Sequence, residues 1–377
     1  MGHVYIAKCP DYSAQHVRRA FRESLHGLGD IRSVIRPGQT VVLKPNLLQA
    51  QPPEKAITTH PALVTAVAAW VREIGATPII ADSPGGLLSV HKLRRLYEVT
   101  GMMRAAQEGN ALLNEDTRTT SISCPEGRAS QKYDAMRAMA EADAIISLPK
   151  LKTHGLVQFT GAIKNIFGTV PGVRKGAYHA KFPSVDRFSA MLIDLLTFYR
   201  PVLTVMDAIT GMEGDGPSGG EPRSVGLILT SIDPVALDVV AASLLGMTSS
   251  NVPPIAAAAR RGLTTGRLGD IDILGERPDE VTVEDFKRPR TGSARARMLP
   301  SSVPEWITNQ LLASPQAGPN CTACGICAEN CPVQAITIVG SRARTDLERC
   351  IRCFCCHELC PEDAVQLRLP LLARLFG

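Results

Sequence analysis

The chain from its start to Gly275 alternates short apolar runs with longer stretches of helical periodicity. The apolar runs cover residues 40–43, 77–81, 144–148, 202–206 and 226–230, and helix-like stretches cover residues 61–74, 187–199 and 234–245. The last helix has an N-cap residue in Asp233 and ends at Gly246. Short buried strands that alternate with helices predict an α/β fold: a largely parallel sheet with flanking helices.

Polar residues follow each predicted strand of this pattern. In open α/β sheets, ligands bind beyond the carboxyl ends of the strands, so the pattern predicts a substrate site at that edge. The alternative is that glycine, proline and aspartate only mark turns. We expect substrate binding by Lys44, Asn46, Asp82, Lys150, Lys152, Thr160, Lys164 and Asn165, and catalysis by His154, Asp207 and Glu213.

The segment from residue 150 to residue 181 is the densest part of this candidate site. Thr160 and Gly161 open a short predicted helix, whose backbone N–H groups would face an anion with Lys164 close by. This arrangement favours a carboxylate or phosphate substrate. The alternative is a mobile surface loop with solvated lysines.

The usual nucleotide and hydrolase motifs are missing from the sequence. There is no GxGxxG after a first strand, no Walker A loop and no GxSxG elbow. A nicotinamide or ATP site of the usual kind is therefore not predicted. A flavin stays open as a second cofactor, because many flavin sites leave no short motif.

The cysteines form a repeated motif near the C-terminus. Nine of the eleven lie between residues 321 and 360, in two C-x2-C-x2-C-x3-C-P runs that begin at Cys321 and Cys350. This spacing predicts two [4Fe–4S] clusters, in which the fourth cysteine of each run ligates the cluster of the other. The predicted ligand sets are Cys321, Cys324, Cys327 and Cys360 for the first cluster, and Cys350, Cys353, Cys356 and Cys331 for the second.

Two alternatives accompany this motif. CxxC pairs also bind zinc, although a zinc site needs neither the interlocked repeat nor the Cys-Pro ending. Cys355 is left over as either a buried apolar residue or a redox-sensitive neighbour of the second cluster.

Composition and charge restrict the class of protein. The chain has 20% charged and 45% hydrophobic residues and a net charge of +5, which is ordinary for a soluble protein and too weakly basic to predict nucleic-acid binding. No apolar run has the length of a signal peptide or a membrane span. Together with clustered cysteines, these features predict a cytoplasmic protein.

The predicted organisation has four parts. An α/β domain covers residues 1–275, a linker with one short helix near 304–312 covers 276–315, a small α+β ferredoxin-like two-cluster domain covers 316–369, and a tail covers 370–377. Basic residues at 287–297 would meet an acidic partner or belong to a solvated linker. The apolar residues 367–376 are expected to dock on a neighbouring surface, and contact with a membrane is the alternative.

Several motifs resemble those of the DUF362 family, which is named for a domain of unknown function. They are Leu43-Lys44-Pro45-Asn46-Leu47, Ala81-Asp82-Ser83-Pro84-Gly85, the run from Leu148 to Asn165, the run from Met206 to Pro217, and Asp233-Pro234 with Asp238. The resemblance covers about residues 38–250, and it implies a C-terminal two-cluster ferredoxin domain, which many members carry. There is also a distant likeness to the α/β domain of nickel-pincer lactate racemases, from which no residue roles are carried over.

These observations lead to three hypotheses about function. The first is an iron–sulfur oxidoreductase, in which electrons from a soluble ferredoxin or similar carrier pass through two clusters to a small anionic substrate or second cofactor. The second is a non-catalytic electron-transfer or assembly subunit whose α/β domain docks a partner protein. The third, redox work linked to nucleic acid, depends on the mild positive charge alone.

Overall fold

A computed structural model of the chain describes residues 2–29, 31–290 and 311–370. Its strands are β1 His3–Lys8, β2 Thr40–Pro45, β3 Thr77–Ile80, β4 Leu112–Leu113, β5 Thr119–Ser123, β6 Lys132–Met136, β7 Ala144–Leu148, β8 Lys150–His154, β9 Gln158–Thr160, β10 Leu203–Asp215, β11 Gly219–Ser231, β12 Asp272–Gly275, β13 Ser314–Ala317, β14 Ile336–Val339, β15 Arg342–Thr345 and β16 Val365–Arg368. Its helices are α1 Ala14–Gly27, α2 Pro61–Glu73, α3 Val90–Val99, α4 Met102–Glu108, α5 Arg137–Ala140, α6 Ala162–Asn165, α7 Gly172–Lys181, α8 Val185–Tyr199, α9 Pro234–Leu244, α10 Pro253–Arg260, α11 Pro278–Val281, α12 Ile326–Glu329 and α13 Cys355–Glu358.

A ten-stranded sheet forms the centre of the fold. Its main path runs β12-β1-β11-β10-β7-β2-β3-β4, and β8 pairs with both β10 and β9. The pairings from β10 through β7, β2 and β3 to β4 are all parallel, whereas β11 pairs antiparallel with its two neighbours. The predicted α/β fold with a largely parallel sheet is therefore confirmed.

Helices cover both faces of this sheet. Alternate residues of β11 point to opposite sides, so Ile228 packs with α1 and α2, whereas Leu227 and Leu229 pack with α8 and α9. Helix α9 begins where the sequence predicts, because the Asp233 carboxylate accepts the N–H groups of Val235 and Ala236 at 2.9 and 3.0 Å.

Two polar segments that follow predicted strands are themselves strands. Residues 150–154 form β8, and β10 continues through Asp207 as far as Asp215 in a long hairpin with β11. The backbone of these polar segments is buried and must find hydrogen-bond partners, which strand pairing supplies. The predicted site residues at 150–154 and 207–213 therefore lie on strands.

The region 311–370, which we call the C-terminal module, shows the internal repeat of the sequence. Helix α12 recurs as α13 at the equivalent place in the second motif, and β13 pairs with β16 as β14 does with β15. Left-handed backbone at Ala323, Gly325 and Gln334 recurs at Arg352, Phe354 and Asp363. Three sequence predictions fall mostly outside the described residues. They are the helix near 304–312, the basic stretch 287–297 and the apolar tail 367–376.

Candidate functional site

The C-terminal module rests on the carboxyl edge of the sheet. The Gln49 side-chain amide, beyond β2, donates to the carbonyl of Glu358, and Gln51 Nε2 donates to the carbonyl of Pro361 at 3.3 Å. The His357 ring lies between two carbonyls, with Nε2 at 2.9 Å from Asp215 O and Nδ1 at 2.6 Å from Val365 O. Helix α13, which carries part of the second cysteine motif, thus covers the predicted substrate edge.

Glycines permit this close approach. A Cβ added at Gly85 would lie 2.6 Å from Leu359 Cδ2, and one added at Gly219 would lie 2.6 Å from His357 Cε1. These distances are shorter than van der Waals contact allows, so a side chain at either glycine would push against the module.

Glu358 projects from α13 into the edge and meets His154 at the end of β8. Glu358 Oε1 lies 3.2 Å from His154 Nε2, and His154 Nδ1 accepts the N–H of Leu156 at 3.0 Å. Because Nδ1 is an acceptor, the neutral ring carries its proton on Nε2, which faces the carboxylate. Burial lowers the pKa of His154 to about 4, so the ring is neutral at pH 7.

Glu358 stays ionised in these buried surroundings. Burial alone would raise the pKa of Glu358, but its contact with His154 and the charge of Lys164 outweigh burial and hold that pKa well below its ordinary range. Sequence reasoning missed Glu358, because it lies between two predicted cluster ligands and has a glutamate counterpart, Glu329, in the first motif.

Two of the predicted substrate-binding lysines are instead committed to buried ion pairs. Lys44 Nζ lies 2.8 Å from Asp82 Oδ1 and 3.1 Å from Asn165 Oδ1. Lys150 Nζ lies 2.9 Å from Asp207 Oδ2 and 2.9 Å from the hydroxyl of Tyr12. Breaking such a pair leaves one buried charge unpaired, so these groups hold the edge together.

Three other lysines of the edge have no acidic partner within the described part of the chain. Among the described residues, no carboxylate lies within 4.0 Å of the ammonium groups of Lys152, Lys164 or Lys175. Lys152 donates to neutral oxygens of Asn46, Ile57 and Pro217 at 2.8, 2.7 and 3.1 Å. Burial lowers the pKa of Lys152 to about 7 and that of Lys175 to about 8.

Aromatic rings support Lys164 and Lys175. Lys164 Nζ lies 5.0 Å from the ring centroid of Phe167 and 5.9 Å from that of Phe188, and Lys175 Nζ lies 5.6 Å from Phe167. His179 stacks on Phe188 with centroids 4.3 Å apart, and burial lowers its pKa to about 3. Lys175 and His179 therefore join the edge, although neither was among the predicted site residues.

The remaining predicted residues are placed apart from the His154–Glu358 contact or are already engaged. Asp207 accepts from Tyr12 and Lys150, and Glu213 accepts the backbone N–H of Lys287 at 3.2 Å. The N-terminus of α6 does not face an external anion as expected. Its N–H groups at Ala162 and Ile163 donate to the Asp238 carboxylate at 2.6 and 2.9 Å.

The thiols predicted for the first cluster surround one open pocket. Cys321, Cys324, Cys327 and Cys360 all line it, together with Gly325, Ile338 and Val365 among others. Burial, followed by the proximity of Cys360, Cys324 and Cys321, raises the pKa of Cys327. Among the described residues, no group of His, Cys, Asp or Glu converges as the ligands of a single metal ion do. In a [4Fe–4S] cube each iron takes one thiolate, so four sulfurs stand around a volume rather than a point.

The second set shows the same local chemistry. Burial and the nearby thiols of Cys353 and Cys331 raise the pKa of Cys350. The N–H groups of Ala335 and Ala364 donate to Cys331 Sγ and Cys360 Sγ, each at 3.2 Å, at equivalent positions of the two halves. Cys355 is buried, and its contact with Cys353 and its burial raise its pKa well above the ordinary value.

The structure also bears on membrane association. Across residues 2–29, 31–290 and 311–370, the helices are too short or too polar to cross a membrane.

Comparison with solved structures finds remote likenesses. The lactate racemase apoprotein from Thermoanaerobacterium thermosaccharolyticum shares 14% identity at a TM-score of 0.40, covering 63% of this chain and 56% of that one. A Thermotoga maritima protein shares 11% identity at a TM-score of 0.36, covering 60% of this chain and 57% of that one. The matches thus span little more than half of either solved chain.

Comparison of sequences identifies the family. The chain is 32% identical over 296 residues to the thylakoid-associated protein sll1697 of Synechocystis sp., a match that covers 76% of this chain and 87% of that protein. The model of the domain of unknown function DUF362 matches residues 41–243, from within β2 to within α9. The chain therefore belongs to the DUF362 family.

Proposed function

We propose that the protein is an iron–sulfur oxidoreductase in which single electrons pass through two [4Fe–4S] clusters to a small anionic substrate or a second cofactor at the sheet edge. The observation that carries this proposal is the pocket lined by Cys321, Cys324, Cys327 and Cys360, since the fourth thiol comes from the other motif. When bound, the clusters supply one-electron transfer, which no side chain of the edge offers.

The module's own groups suit such clusters. N–H groups directed at Cys331 and Cys360 stabilise thiolates, and left-handed backbone at Ala323 and Gly325 curls the first loop around its pocket. The same features in the second half support a second site. Zinc fits less well, because its four ligands would have to converge on one point.

The docking of α13 supports a path to the sheet edge. This helix supplies both Cys356, a predicted ligand of the second cluster, and Glu358, whose carboxylate contacts His154. The second ligand set therefore lies next to the cationic edge, where electrons would be consumed.

At that edge, Lys152 is the group suited to moving protons. Lys152, with a pKa of about 7, exchanges its proton near neutral pH, whereas neutral His154 offers its Nε2 proton as a hydrogen-bond donor. Asp207 and Glu213, also predicted as catalytic, are engaged with Lys150 and Lys287, so we assign them no proton transfer. Lys164 is the cation best placed to hold an anionic group.

The thiolate ligands also bear on the compartment in which the protein works. Thiolate-ligated clusters assemble in a reducing compartment, so we propose a cytoplasmic protein that exchanges electrons with a soluble ferredoxin or similar carrier. A flavin at the edge is tested by the same experiment as the clusters.

That experiment is anaerobic purification, followed by iron, sulfide and flavin analysis, EPR of the reduced protein, and reoxidation by a broad panel of anionic metabolites. We expect iron and sulfide for two cubes per chain, and reoxidation that is slowed by Lys164→Met. Cys355→Ser is the matched control, since it removes a thiol outside both ligand sets and should keep the full iron content. A chain that holds zinc in place of iron would contradict the proposal.

A second candidate is a non-catalytic electron-transfer or assembly subunit. It is favoured by the burial of Lys152 and His154, which are 0% and 1% exposed beneath α13. Reoxidation by a partner protein, with no response to any small molecule, would select it.

A further inference from the structure

The charges of the sheet edge do not balance, at buried Lys152 and at half-buried Lys164 and Lys175. Lys44 and Lys150 each have a carboxylate partner, but Lys152, Lys164 and Lys175 have none within 4.0 Å among the described residues. Asp82 and Glu358 both act on Lys152 and Lys175, but Asp82 is already paired with Lys44, and Glu358 also faces the charge of Lys164. An ammonium group withdrawn from water without a carboxylate partner is costly, which is why burial lowers the pKa of Lys152 and Lys175, and an anion bound among the three lysines would offset that cost.

Polar atoms without partners point to the same place. Among the described residues, the buried hydroxyls that lack a hydrogen bond include Thr160 Oγ1, Thr58 Oγ1 and Ser83 Oγ, and the N–H at His154 Nε2 has only the Glu358 carboxylate, 3.2 Å away, as a partner. Thr160 lies opposite Lys152 in the β8–β9 ladder, and the backbone carbonyl of Ser83 accepts a hydrogen bond from Lys175. Hydroxyls and an imidazole N–H beside unpaired ammonium groups form a donor set for an anion.

Glu358 differs from the other polar residues of the sheet edge because it comes from the C-terminal module. The lysines, His154 and the two threonines all belong to the α/β part of the chain, so that part alone presents donors and cations. The group that faces His154 Nε2 at 3.2 Å is a carboxylate, which shows the ligand chemistry that these donors accommodate.

We propose that the sheet edge binds a small-molecule carboxylate at Lys164, Lys152 and His154, and that Glu358 occupies this position until the ligand displaces it. The inference rests on the proposed function and names its substrate class. Glu358 then competes with the ligand, and its displacement shifts α13, which carries Cys356. Binding of the carboxylate is thereby linked to the cysteines of the second cluster through one short helix, α13.

The test is calorimetric titration of the anaerobic holoprotein with malonate, with malonamide as the uncharged probe. Glu358→Gln keeps the shape of the side chain and removes its charge, so malonate should bind about tenfold more tightly. Lys164→Met keeps the packing on Phe167 and should weaken binding at least tenfold. Lys181→Met is the matched control: this lysine also lies over an aromatic ring, 5.3 Å from Phe182, but it is exposed, and its affinity should match the wild type.

Three results would overturn the inference: malonamide binding as tightly as malonate, Glu358→Gln leaving the affinity unchanged or weaker, or Lys164→Met binding malonate normally. If Glu358→Gln loses its clusters, the malonate affinity of Lys164→Met is the test of the inference. Wild-type protein that cycles electrons through both clusters but ignores malonate refutes this inference and leaves the proposed function standing. Malonate binding without cluster redox chemistry refutes the proposed function alone.

Discussion

At the scale of single residues, the sequence placed Lys44, Asp82 and Lys152 at one edge of the sheet but could not say which of them pair. A hydrophobic pattern shows where a strand ends, whereas pairing depends on side chains brought together from distant segments. Lys44 meets Asp82 and Asn165 across 38 and 121 residues of sequence. Glu358 was beyond prediction for the same reason, since its partner His154 lies on another part of the chain.

Gly168→Ala tests how tightly the Lys44–Asp82 pair is enclosed. A Cβ at this position would lie 2.0 Å from Asp82 Oδ1 and 2.3 Å from Lys44 Nζ. We expect a loss of about 1–3 kcal/mol in the free energy of unfolding, as for other overpacked sites. Urea unfolding gives the value. Gly269→Ala, where nothing lies within 4 Å of the added Cβ, is the control and should change little.

The buried histidines predict how stability depends on pH. Burial lowers the folded-state pKa of His179 to about 3, below the unfolded value of about 6.5. Its contribution to stability is therefore complete above pH 6.5 and is lost as the pH falls towards 3, by up to about 1.4 kcal/mol per pH unit. His154, with a pKa of about 4, acts in the same direction.

We therefore expect the urea midpoint to fall between pH 7 and pH 5.5, and His179→Phe, which keeps the stacking on Phe188, to fall less steeply. Equal slopes for the two proteins would show that His179 is protonated without penalty.

At the scale of elements, the alternating pattern predicted the main strands and helices well, and it failed where polar residues form strands. Helix 61–74 is observed as Pro61–Glu73 and strand 144–148 as Ala144–Leu148. In contrast, β8 reads as a loop because Lys150, Lys152 and His154 are polar, although all three are buried. Tertiary partners outweigh local pattern there. The N-terminus of α6 was also misjudged, since Asp238 reaches it from α9.

Gly219→Ala tests the docking of α13 on the sheet edge. The added Cβ would lie 2.6 Å from His357 Cε1, and His357 holds the module through Asp215 O. We expect faster hydrogen exchange in residues 355–360 with little change in the central sheet. Gly269→Ala is again the control. Unchanged exchange in residues 355–360 would mean that His357 does not hold the module in place.

At the scale of the whole molecule, the two halves of the module have different surroundings. The first thiol set lines an open pocket, and Cys324 is exposed, whereas α13 of the second half is packed against the sheet edge. The repeated cysteine motif predicts both ligand sets from the sequence, but it cannot show which half faces the α/β part, because the halves are nearly equivalent. The docking of α13 places the second half against the α/β part, so the proposed electron path runs from the first cluster to the second and then to the sheet edge.

Cross-ligation of the two motifs is the basis of this account, and EPR of the reduced holoprotein tests it most directly. The variants Cys321→Ser and Cys360→Ser change different motifs but remove ligands of the same predicted cluster. Their spectra are compared with that of Cys350→Ser, which removes a ligand of the other cluster. If the motifs are cross-ligated, the first two variants lose the same signal and Cys350→Ser loses the other. A Cys360→Ser spectrum that matches Cys350→Ser would contradict it.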